Sequence, residues 1–268
     1  MTFANGTSGE QERHGSCMDD SRYPVRPMSS GRTARPAIAS GTDPGAEANA
    51  TVRYAAWVVY ARTDRPPGNE ASAIAGLTGW AEGLAADDVI LRGAYDVSGL
   101  RAGADLMLWL HGPSVESLQA ALRAFRRTSL GNWLNAVWSA MGAHRRAEFS
   151  ADHLPSFMQG REPRRWLCVY PFARSYDWYL LPEDERREML REHGLAGRAF
   201  AGVQANTVAA FGLNDWEWIL ALEADNPQEL VDLLRALRAT QARRHVREEV
   251  PFHTGRRLEI GEVIEILR

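Results

Sequence analysis

Cysteine is nearly missing from this 268-residue chain, which has only Cys17 and Cys168. They lie far apart, one in a Gly/Ser-rich stretch and one inside an apolar run. A disulfide framework is therefore not expected, and a reducing compartment is. Long hydrophobic runs are missing too. None approaches the roughly 18 to 20 residues that span a bilayer, and the N-terminus, MTFANGTSGEQERHGSC, has no apolar core of a signal peptide. A cytoplasmic location without a membrane span is the expectation. There is no basic excess: the net charge is −3, which argues against a general nucleic-acid binder. CxxC and HExxH motifs, carboxylate clusters and phosphate-cradling glycine loops are likewise lacking, and His144, His245 and His253 have no ligand spacing to one another.

What is present begins near Thr51. Residues 1–50 are rich in Gly, Ser, Pro, Thr and Ala, so they bury too little apolar surface to offset their ordering entropy, and disorder is expected there. The remainder contains a repeat. Leu118–Thr128 (LQAALRAFRRT) and Leu230–Thr240 (LVDLLRALRAT) share the pattern L-x-x-x-L-R-A-x-R-x-T. Each follows a strand-like run, Asp105–Leu110 or Trp216–Glu223, and a helix-start signal. A period above a hundred residues is too long for a solenoid and points to two duplicated half-domains, bounded at 51–160 and 161–268. Each half reads as strand (Tyr54–Arg62; Trp166–Arg174), helix (Glu70–Leu84; Glu183–Glu192), two strands and a helix. The expected class is α+β: duplicated ferredoxin-like units forming one barrel-like core. Arg257–Leu267 alternates and reads as an added edge strand.

The chemistry-bearing residues crowd the second half. His193 ends PEDERREMLREHG, where Pro182 and Glu183–Glu185 suit a helix start and Gly194 suits its cap. Met189, Leu190 and His193 then share one face. A histidine there serves the helix macrodipole, or serves as a lone axial ligand to haem iron in an apolar pocket. Tyr170 closes an apolar strand before Pro171, as a strand-end aromatic or a redox residue. Arg174, Tyr176, Trp178 and Tyr179 form an aromatic and cationic cluster, and an arginine fork suits a carboxylate. Trp216 and Trp218 alternate with Glu217, which places both indoles on one sheet face. His153 sits in a loop between the halves.

The strings YPFARSYDWYLLPEDERREMLREHG, NTVAAFGLNDWEWILALEAD and LRATQARRHVREEVPFHTG resemble the actinobacterial coproheme decarboxylases, within the chlorite dismutase superfamily. The resemblance runs from about Val52 to the C-terminus. It implies a homopentamer of duplicated ferredoxin-like subunits, cytoplasmic, that converts iron-coproporphyrin III (coproheme) to haem b. Hydrogen peroxide is the oxidant, and two propionates leave as carbon dioxide. Coproheme is then substrate and redox cofactor at once, and transient contact with the upstream ferrochelatase is implied. Carried over by motif, His193 is the proximal iron ligand, Tyr170 the radical residue of the Y-P pair, and His153, in H-x-P-x-F, the distal base. Arg174 holds a propionate, Trp178 and Trp218 wall the pocket, and Arg198 in HGLAGR is a further propionate contact. Asn206 stands about where chlorite dismutases place a distal arginine, which counts against chlorite chemistry. A haem carrier or sensor, and a dye-decolourising-type peroxidase, are the other readings. Residues 1–50 and Gln241 depart from the family pattern.

Overall fold

The computed structural model describes residues 51–64, 69–144 and 154–268. Residues 1–50 and His153 lie outside them. The first half runs β1 (Arg53–Arg62), α1 (Glu70–Gly83), β2 (Ile90–Asp96), β3 (Leu106–Gly112), α2 (Val115–Arg127), a single-turn α3 (Ser129–Asn132) and β4 (Leu134–His144). The second runs β5 (Trp166–Arg174), α4 (Glu183–Arg198), β6 (Gln204–Ala209), β7 (Trp218–Ala224), α5 (Pro227–Leu237), β8 (Val246–Glu248), β9 (His253–Leu258) and α6 (Glu262–Ile266).

Strand pairing confirms the duplication. The orders are β4-β1-β3-β2 and β6-β7-β5-β9, with every ladder antiparallel. β2 pairs with β9 and β4 touches β6 through Ala143 and Ala209, so eight strands close into a ring. Helices cover the outside and side chains fill the inside. That is why β1 and β3 read as continuous apolar runs rather than alternating ones. Along β1, Ala56, Val58 and Tyr60 face the helices with Leu77, Leu118 and Phe125. Ala55, Trp57 and Val59 face the interior with Trp109, Leu167 and Ile219.

The two copies of the repeat are α2 and α5. Ser114 and Asn226 cap them with side-chain oxygens. Each closing threonine hydroxyl, of Thr128 and of Thr240, donates to the carbonyl three residues back, at 2.7 and 2.8 Å. Four expectations need correcting. Each half closes on a further strand, β4 or β9, so the order is βαββαβ. Arg257–Leu267 is not an edge strand, because only Arg257 and Leu258 belong to β9 and the segment then turns into α6. α4 does not stop at Gly194 but continues to Arg198, since the glycine stays helical. Trp216 and Trp218 do not share a face: Trp216 precedes β7 and packs on Trp138, while Trp218 stacks on Phe172.

A buried ion pair ties the halves together. Arg92 of β2 meets Glu223 of β7 at 2.7 Å, and both side chains are almost fully buried. Arg92 also donates to the Arg161 carbonyl, and Asn206 Nδ2 donates to Glu223. Burial pushes the Glu223 carboxyl up, and Arg92 opposes that. Removing one partner strands the other charge, so Arg92→Ala should cost about 3–5 kcal/mol. The check is the urea midpoint; a change under about 1 kcal/mol would contradict the pair's role.

Candidate active site

The halves differ where a helix crosses the sheet. In the first, α1 buries Ala73, Leu77 and Trp80. Its counterpart α4 buries no residue; its inward stripe of Arg186, Met189, Leu190 and His193 is only half-buried. The sheet face beneath presents Cys168 and Tyr170 of β5 and Leu220 and Leu222 of β7, with Phe252 beside them. Register explains this set. Tyr170 pairs with Leu220 and Phe172 with Trp218, so all four point to one side of the sheet.

His193 points from α4 toward Thr240, with Nδ1 3.3 Å from Oγ1. The threonine proton is already committed to the Leu237 carbonyl, so toward the imidazole that oxygen accepts. This places the histidine proton on Nδ1 and leaves the Nε2 lone pair free for a metal. Burial, aided by the Arg174 charge, holds the His193 pKa below its ordinary value and favours the neutral ring. Thr240 was missed from sequence as a site residue, although it closes the second copy of the repeat. The structural threonine of the first half is reused to orient the histidine. Among the described residues no group of three or more His, Cys, Asp or Glu could hold a metal ion, so a metal here depends on one imidazole.

Tyr170 is buried and stacks on Phe252 at 4.5 Å between ring centres. Burial pushes its phenol well above the usual range, which keeps the proton on oxygen at neutral pH. Arg174 is held by rings: its guanidinium lies 4.2 Å from the Trp178 centroid and 5.0 Å from that of Phe172. Among the described residues no carboxylate forms an ion pair with its side chain, so its fork of donors is available to one. Trp178 is buried against His245. Trp218 Nε1 donates to Tyr179 Oη at 3.1 Å, and that hydroxyl donates to Glu217.

The other expected residues fall elsewhere. Tyr176 leaves the Arg174 cluster; it is 79% exposed and sits under Arg247. Arg198 is exposed in the last turn of α4, five residues from His193 and so about 140° around the helix from it. Asn206 faces the barrel interior, not Tyr170. It accepts from the Phe157 amide at 2.9 Å and donates to Ala221 and Glu223. Alternation along β6 turns it away and leaves Ala205 and Thr207 on the Tyr170 side, so no arginine stands there. Missed from sequence were Phe252 and three charged residues, Arg238, Arg243 and Glu249, whose charges all bear on the Tyr170 hydroxyl.

Beyond the chain itself, the chlorite dismutase family profile matches residues 70–258. A coproheme decarboxylase of Mycolicibacterium smegmatis is 50% identical over 218 residues, covering 81% of this chain and 94% of the relative. A solved structure of chlorite dismutase from Candidatus Nitrospira defluvii in complex with imidazole superposes with a TM-score of 0.71. It is 22% identical and covers 81% of this chain and 95% of that one. At that identity the likeness concerns the fold. Profile, relative and fold converge with the internal duplication, and the chain belongs to the chlorite dismutase family.

Proposed function

We propose that the chain is a coproheme decarboxylase, removing two propionates of iron-coproporphyrin III with hydrogen peroxide to give haem b. The observation that carries this is the asymmetry of the duplication: the half-buried face of α4 offers one imidazole oriented by Thr240, and the same half holds the buried Tyr170 and an Arg174 with no ion-pair partner among the described residues. The set fits an iron porphyrin with four propionates. The 50% identical relative bears the same activity in its name.

When bound, the iron porphyrin supplies peroxide activation and the redox equivalents; the protein supplies placement and proton control. His193 Nε2 holds the iron, with Thr240 fixing the ring. Arg174 orients a propionate by a two-pronged contact. Tyr170 gives up its phenolic hydrogen to the oxidant derived from peroxide, and the resulting radical takes a hydrogen atom from the propionate carbon next to the ring. The carbon radical left behind gives one further electron to the same oxidant, and the carboxylate leaves as carbon dioxide so that a vinyl group remains. Each propionate consumes one peroxide and one proton and yields one vinyl group, one carbon dioxide and two waters. His153, carried over from the family motif, is proposed to take the peroxide proton. Trp178 and Trp218 wall the porphyrin. A cytoplasmic homopentamer, receiving substrate by contact with the ferrochelatase, completes this reading.

Gas analysis separates it from chlorite chemistry. The coproheme-loaded protein should release two equivalents of carbon dioxide per porphyrin with peroxide, and no dioxygen from chlorite. Dioxygen evolution without carbon dioxide would overturn it.

A further inference from the structure

The chain has 31 arginines and no lysine, and two of the arginines converge beside Tyr170 on a single carboxylate. Arg238 Nη2 lies 2.9 Å from Glu249 Oε2, and Arg243 Nη1 forms a second ion pair with the same oxygen. Arg238 also lies 5.9 Å over the ring of Phe252, the ring on which Tyr170 stacks. Glu249 is the most sheltered of the three, with 17% of its side chain exposed against 38% and 40% for the arginines. Its charge reaches both Tyr170 and His193. The cluster thus carries two positive charges and one negative, and one further carboxylate would balance it. Guanidinium groups suit that role because each presents several donors and keeps its charge.

We propose that Glu249 is an internal stand-in for a substrate carboxylate. In the free protein it holds Arg238 and Arg243. A porphyrin propionate brought to Tyr170 takes those guanidinium groups over, and loss of that propionate as carbon dioxide returns them to Glu249. The inference rests on the decarboxylase reading and adds a discrimination to it. The cluster grips the porphyrin that still carries the reacting carboxylate and lets go of the one that has lost it, because a vinyl group cannot compete with Glu249.

The test uses the full-length protein and two metal-free porphyrins, which remove the iron–His193 bond from the balance. Coproporphyrin III carries four propionates and protoporphyrin IX carries two. Affinities are read from tryptophan fluorescence quenching at low and moderate salt. Glu249→Gln keeps the shape of the side chain and removes the competing charge. It should tighten coproporphyrin III binding about tenfold, with a steeper salt dependence, and leave protoporphyrin IX within about twofold. Arg243→Gln, at an exposed position and so tolerated by the fold, should weaken coproporphyrin III alone. Unchanged affinity in Glu249→Gln, or equal tightening of both porphyrins, would overturn the exchange. If the wild type removes carboxyl groups from coproheme while Glu249→Gln binds as wild type does, only this inference fails. If the affinities shift as expected while wild type leaves coproheme intact, the decarboxylase reading fails instead.

Discussion

Tyr170→Phe is expected to bind coproheme as the wild type does and to form vinyl groups at least about a hundredfold more slowly. The substitution deletes one oxygen from a side chain that is otherwise fixed by the sheet. Tyr170 pairs with Leu220 across β5 and β7 and stacks on Phe252, and phenylalanine keeps both contacts. The fold should shift by under about 1.5 kcal/mol, the range of a typical net hydrogen bond. What is lost is the transferable hydrogen. A positioned proton-transferring side chain is commonly worth about 10²- to 10⁴-fold, and a residue that carries the hydrogen itself belongs at the upper end. Binding and chemistry must be measured separately, because only a loss of turnover at unchanged affinity marks a residue acting in the reaction. Freeze-quenched samples add a second readout, since a tyrosyl signal in wild type should be missing in Tyr170→Phe. Full turnover by the variant would remove Tyr170 from the mechanism.

The second large effect is expected at His193. With one imidazole to hold the iron, His193→Ala should abolish the five-coordinate spectrum of the bound ferric porphyrin and weaken binding. Exogenous imidazole should restore part of the spectrum. Thr240→Val tests the orientation apart from the ligand, because it removes the acceptor at Nδ1 and keeps the size. Outer-shell partners of metal-bound histidines are typically worth about 10- to 100-fold in affinity, so a loss in that range is expected. The pH profile carries a sign. Burial and the Arg174 charge hold the His193 pKa below the ordinary histidine value, so the neutral, ligating ring persists as the solution is acidified past that value. Iron ligation should therefore outlast a free imidazole control on acid titration. A spectrum that His193→Ala leaves unchanged would show that another residue binds the iron.

The architecture was legible because duplication prints itself twice. Two copies of L-x-x-x-L-R-A-x-R-x-T could only become α2 and α5 in equivalent places, and Trp166–Arg174 reads as a strand because both its faces are covered. The closing strands were harder. β4 has exposed Asn135, Ala136, Val137 and Ser139, so it lacks the apolar run that marks its neighbours, and β9 mixes His253, Arg256 and Arg257 into a strand interior. Gly194 looked like a stop because glycine favours helix ends, yet the chain stays helical there with no Cβ needed. In the site, Tyr170 and Trp218 share one face of the sheet, Arg174 lies on the rings of Phe172 and Trp178, and His193 turns toward Thr240. Asn206 was misplaced because a spacing of thirteen residues fixes a position along β6, while its side is fixed by alternation. Thr240, Phe252, Arg238, Arg243 and Glu249 lie 47 to 82 residues from their partners at Tyr170 and His193, a distance that only the closed sheet spans.

One measurement bears on the central claim most directly. The purified protein is loaded with one equivalent of iron-coproporphyrin III, hydrogen peroxide is titrated in, and the porphyrin is followed by mass spectrometry. The expected result is stepwise loss of two carboxyl groups, through a three-propionate intermediate, ending at haem b with about two peroxides consumed. Tight binding with the porphyrin mass unchanged across the titration would contradict the account and leave a haem-binding member of the family that carries out no decarboxylation.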